Sequence, residues 1–182
     1  MKLRYDICGY DYKSLVYFEN IIKKLKIPKE GKIVQLGTNY CVRFDRMCMY
    51  FGYKRCIGYD LVNPLNHPNV IIKDCAELDL NNKNDNYKIS YCDIDVSNLN
   101  TSPELRMSAI NWASKLIVKG GYILTNNTWA FKKHSKFDVE SFLIKRNFKI
   151  IQLDEYKKYK WAKLFNQRTS WNTKSAMLCK KL

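Results

Sequence analysis

Between Lys32 and Asp60 the chain reads KIVQLGTNYCVRFDRMCMYFGYKRCIGYD, an apolar run, a turn at Gly37, a helical stretch and a second apolar run that ends in a carboxylate. Two short apolar runs joined through a turn glycine and a helix form a parallel strand-helix-strand unit, since parallel strands need such a crossover. Gly37 and Asp60 lie 23 positions apart (60 minus 37). That is near the roughly 20 that separate the turn from the ribose-binding acid in nucleotide-binding units of this kind. A bound nucleoside is therefore expected. With one glycine in the turn, little backbone is bared for a pyrophosphate, so a cofactor without one fits better.

The rest of the chain continues the alternation. In DYKSLVYFENIIKKLKI, Leu15, Phe18, Ile22 and Leu25 recur at spacings of three and four, which predicts an amphipathic helix stopped by Pro28. Apolar runs at Ile33 to Leu36, Cys56 to Tyr59, Val70 to Ile72, Lys88 to Cys92 and Tyr122 to Leu124 predict strands. Tyr40 to Phe51 and Pro103 to Val118 read as helices, the second opened by Ser102 and Pro103 and closed by Gly120 and Gly121. Lys136 to Arg146 predicts a further helix, and Lys149 to Leu153 and Ser175 to Cys179 closing strands. That order predicts an α/β fold with a mostly parallel sheet and helices on both faces.

A chain of 182 residues, 46% apolar, is expected to bury one core, so we expect a single domain over 1–182. Its parts are an N-terminal helical segment, 1–30, and a core, 31–182. No stretch approaches a membrane span and MKLRYDICGYDYK lacks the apolar centre of a signal peptide, so a cytoplasmic protein is expected. The seven cysteines, Cys8, Cys41, Cys48, Cys56, Cys75, Cys92 and Cys179, are scattered without a CxxC pair. Small buried thiols in a reducing compartment are expected rather than zinc ligands or disulfides.

Here the chain resembles the class I S-adenosylmethionine (SAM)-dependent methyltransferase fold over nearly its whole length, nearest the small-molecule O-methyltransferase branch. KIVQLGTN is similar to the first motif of that family, GYDL (Gly58 to Leu61) to the segment with the ribose-binding acid, and NVIIKDCAEL (Asn69 to Leu78) to the segment that frames adenine. KISYCDIDVSN resembles the fourth strand, and LIVKGGYILTNN the helix end, double glycine and fifth strand. The resemblance implies a seven-stranded Rossmann-like sheet and SAM as cofactor. It implies cofactor contacts from Gln35, Gly37, Thr38, Asn39, Asp60, Leu61, Asp74, Cys75 and Asp93. Asp60 would accept from the ribose hydroxyls, and Asp74 would receive the adenine amino group while the Cys75 backbone N–H donates to the ring. Gln35 stands where an acid commonly anchors the first motif, Asn39 replaces a usual glycine, and Cys41 stands at the third glycine.

The implied chemistry is in-line methyl transfer to a hydroxyl, or an amine, of a small molecule, for which the protein supplies alignment and sometimes a base. Catalytic candidates are Asp93, Asp95 and Asn126. Asp93, Asn126 and Asn127 occupy the places where the metal-dependent branch carries its ligands, but Asn126 replaces an acid, so a divalent metal is not expected. His67 and His134 read as exposed loop residues.

The net charge of +15 is concentrated late in the chain. From Ala130 to Leu182 there are 14 Lys plus Arg against 4 Asp plus Glu, a net +10. Within KKYKWAKLF, Lys157, Lys158, Lys160 and Lys163 interleave with aromatics as a platform for RNA or another anionic partner would. A solvated lysine-rich surface accounts for them equally well. The alternative to an enzyme is thus a catalytically silent methyltransferase-fold protein that binds RNA or a protein through this region.

Overall fold

A computed structural model of the protein describes residues 19–20, 22–38, 41–94, 103–126, 138–155 and 175–182. The strands are β1 (Lys32–Leu36), β2 (Cys56–Asp60), β3 (Val70–Ile72), β4 (Ile89–Ile94), β5 (Ile117–Asn126), β6 (Phe148–Glu155) and β7 (Ser175–Lys181). The helices are α1 (Val42–Phe51), α2 (Pro103–Leu116) and α3 (Val139–Ile144). Residues 19–20 and 22–24 are also helical, inside the helix expected before β1.

All seven strands join one sheet in the order β3-β2-β1-β4-β5-β7-β6. Pairings among β1 to β5 are parallel, and β7 runs antiparallel to both β5 and β6. From β1 the chain winds outward through β2 to β3, then returns to the other side of β1 as β4. The strand order therefore reverses between β1 and β4, and ligands of open parallel sheets bind outside the carboxyl ends at such a reversal.

Helices cover both faces, which is why β4 is buried at every position. On one face Ala109, Ile110, Trp112 and Ala113 of α2, with Val139 and Leu143 of α3, join Val34, Leu36, Cys92, Ile94 and Ile123. On the other, Phe44, Met47 and Cys48 of α1 join Ile33, Tyr91, Tyr122 and Leu124, with Ile22 beside them. The six described cysteines are buried. No described helix is long and apolar enough to cross a membrane.

Three boundaries differ from expectation for identifiable reasons. Helix α2 stops at Leu116 and β5 starts at Ile117, so the double glycine lies inside a strand and does not cap the helix. Gly120 adopts a left-handed φ of 77°. The β4–β5 register shifts between Ile89 and Tyr91 to absorb it. Helix α1 starts at Val42, after Cys41 turns into the left-handed region with φ 61°. The fourth strand runs to Ile94, which places Asp93 within it.

Candidate functional site

At the carboxyl end of β1, Gly37 takes φ 81°, a value that favours glycine. Its N–H donates to the Tyr59 carbonyl at 2.9 Å, tying the turn to β2. Thr38 is buried, and its Oγ1 lies 3.4 Å from Asp60 Oδ2. Asp60, the last residue of β2, also accepts from the Val62 N–H at 3.4 Å, and its carbonyl accepts from the Lys73 N–H at 2.9 Å. Gly58 lets these strands close up, since a Cβ there would sit 2.6 Å from Thr38 Cγ2.

Asp74 and Cys75 follow β3. The Asp74 carboxylate accepts from the Ala76 N–H at 2.8 Å and so caps a short 3-10 turn, Cys75–Glu77. Cys75 is buried, its thiol 4.0 Å from the Tyr59 carbonyl. Burial, then the charge of Asp60, push its pKa up to about 12. The turn after β1, the acid ending β2 and the segment after β3 thus converge. Leu61 stands beside them, 66% exposed. Because its thiol stays protonated far above neutral pH, Cys75 is expected to resist iodoacetamide at pH ~8 in the native protein. Peptide mapping after unfolding should show it alkylated; rapid native labelling would contradict this environment.

Asp93 is placed deeper than a strand end would put it. It lies inside β4, buried to 1%, and pairs with the guanidinium of Arg43, itself 4% exposed, from the first turn of α1. Burial pushes the Asp93 carboxyl upward, and the Arg43 charge pulls it back. Gln35 is the register neighbour of Asp93 across the β1–β4 pair. It is buried, its Nε2 lies 3.5 Å from the Gly37 carbonyl, and its Oε1 has no hydrogen-bond partner among the described residues. The Tyr91 hydroxyl, also buried without a partner among the described residues, lies in the electrostatic reach of Asp93 and Arg43. Sequence reasoning passed over Arg43 and Tyr91. Their signals were phase: Arg43 precedes core Met47 by one helical turn, and Tyr91 precedes Asp93 by one strand repeat.

The structure corrects the expectation for His67, because its side chain is only 9% exposed. Its Nδ1 accepts from the Asn69 N–H at 3.2 Å and its Nε2 lies 3.4 Å from Asp45 Oδ1. It pins the segment before β3 to α1. Asn126 ends β5, its backbone opposite Ala176. Asn39, Asp95, Asn127, His134 and Lys157, Lys158, Lys160 and Lys163 lie outside the described residues. No cluster of three or more His, Cys, Asp or Glu able to hold a metal occurs among the described residues.

No protein-family model matches the sequence, and no curated protein matches it. Solved structures do resemble the fold. A SAM-dependent methyltransferase from Clostridium acetobutylicum ATCC 824 aligns with TM-score 0.61 at 13% identity, over 97% of this chain and 96% of its own. A SAM-bound amino pentose methyltransferase of calicheamicin biosynthesis from Micromonospora echinaspora gives 0.64 at 8% identity, over 98% and 94%. The N-methyltransferase NodS of Bradyrhizobium japonicum WM9, in complex with S-adenosyl-L-homocysteine (SAH), gives 0.55 at 7%, over 94% and 87%. The chain is thus similar in fold to SAM-dependent methyltransferases.

Proposed function

We propose that this chain is a single-domain, SAM-dependent methyltransferase that methylates a hydroxyl, or less readily an amine, of a small molecule. The observation that carries the reading is the convergence of Gly37, Thr38, Asp60, Asp74 and Cys75 outside the carboxyl ends of three adjacent parallel strands, beside the reversal of strand order. The fold neighbours that hold SAM or SAH support the same cofactor.

The residues present fit that cofactor. Asp60 is partly exposed and able to accept from two ribose hydroxyls, while Leu61 offers an apolar surface to adenine. The Gly37 turn would let backbone approach the methionine portion, and Gln35 Oε1, unpartnered among the described residues, would suit an ammonium donor. A neutral amide there attracts the cofactor's positive end less than a carboxylate would. Asp74, already holding the Ala76 N–H through Oδ1, has Oδ2 left for the adenine amino group.

When bound, SAM supplies an electrophilic methyl group. The chain's own part is to hold the acceptor in line with that group and to exclude water. We assign acceptor binding to Asp95 and Asn126, with Asp95 taking the proton where one must be removed, and a divalent metal is not required. Incubation with SAM and pools of hydroxylated or amine-bearing small molecules, read by mass spectrometry, tests the reaction. SAH release matched by an acceptor one methylene heavier is expected; no transfer to either pool by protein that binds SAM would favour the silent reading.

A further inference from the structure

Asp93 and Arg43 form an almost wholly buried ion pair at the edge of the site, and nothing else described there carries so large a consequence. The pair joins the first turn of α1 to β4, across the point where the sheet reverses. Between β1 and α1 the chain passes through Gly37 and Cys41, at φ 81° and 61°. A non-glycine residue in the left-handed region is intrinsically unfavourable, so the surrounding structure must hold Cys41 there. The Cys41 N–H donates to the Thr38 carbonyl at 2.9 Å, and its carbonyl accepts from the Asp45 N–H at 2.7 Å, so the turn is continuous with the helix that Arg43 anchors. Gln35, directly beside Asp93, is neutral and cannot balance the guanidinium.

We propose that Asp93 is a positioning residue: by neutralising Arg43 it latches α1 to β4 and holds Gly37, Thr38 and Cys41 in the form that receives the cofactor. The carboxylate is committed to Arg43 and is not the base of the reaction. This rests on the SAM-binding reading for its consequence, though the latch itself stands on the geometry of the pair. A buried ion pair behaves characteristically when cut: removing one partner strands a charge, whereas replacing both with apolar groups of similar volume is often neutral.

The test is a cycle of Asp93→Leu, Arg43→Met and the double variant in the full chain, read by thermal unfolding, amide exchange and calorimetry with SAH. Each single variant should lower the midpoint by at least ~6 °C. It should also accelerate exchange at Gly37 and Cys41 beyond that at the β5–β7 pairing, and weaken SAH binding at least ~10-fold. The double variant should recover all three. If the singles do not fold, a folded double with parental exchange at Gly37 and Cys41 supports the latch by itself. A stable double whose turn exchange stays as fast as in the singles, or unchanged exchange throughout, overturns it. A double that binds SAH like the parent yet has lost methyl transfer would make Asp93 a chemical participant and overturn it too. Failure of the parent to bind SAH would sink the cofactor reading while the thermal and exchange results still decide the latch.

Discussion

Asp60→Ala is expected to abolish the rise in thermal midpoint that SAM gives the parent protein. A ligand specific for the native state at 100 times its dissociation constant adds about 2.7 kcal/mol, a shift of roughly 5–11 °C for a chain of this size. Two hydrogen bonds from ribose hydroxyls to a carboxylate are worth about 1.5–3 kcal/mol each, so their loss weakens binding roughly 10²- to 10⁴-fold. The unliganded variant should unfold close to the parent. Its side-chain contacts with Thr38 and Val62 are both 3.4 Å, the long end of the hydrogen-bond range. Differential scanning fluorimetry with and without SAM separates the two effects. A variant that keeps the shift would remove Asp60 from the cofactor site.

Trp112→Ala is expected to destabilise the protein by about 3–5 kcal/mol, or roughly 6–20 °C. Trp112 is 2% exposed and fills the space between α2 and the sheet. It meets Tyr59 and Tyr87 edge-on, with ring centroids 6.2 Å and 6.0 Å away. Its Nε1 donates to the Asp85 carbonyl at 3.1 Å, so truncation leaves both a cavity and a carbonyl without its donor. The buried Asp85 carboxylate pairs with Lys73, next to Asp74, which links this core residue to the rim of the site. Urea unfolding measures the effect. A loss under ~1 kcal/mol would mean that this face is far more plastic than its packing implies.

Local patterns carried most of the fold into view. The first three parallel strands and α1 were legible because each apolar run ends at a turn residue or an acid with suitable spacing, and because α1 repeats its core positions at helical period. The double glycine misled for a physical reason. Two glycines after a helix-like run read as a helix end, yet Gly121 lies inside β5 because its missing Cβ would be 2.9 Å from the Ser90 carbonyl oxygen. Only the neighbouring strand shows that need. The convergence of Gly37, Asp60, Asp74 and Cys75 was foreseeable from strand ends alone. The burial of Asp93 was not, since a carboxylate near a strand's end reads as a site acid until the cation facing it is known. Arg43 lies 50 positions earlier (93 minus 43), and no local pattern joins the two. His67 was misjudged likewise, because its anchors on Asp45 and Asn69 come from α1 and from the residues before β3.

The central claim is that the carboxyl ends of β1, β2 and β3 hold SAM. Isothermal titration calorimetry of the full chain with SAM and with SAH tests it most directly. Saturable binding at one site, in the micromolar range for both, is the predicted result. A flat trace at millimolar concentrations of either ligand would contradict the account and leave a methyltransferase fold that has lost its cofactor.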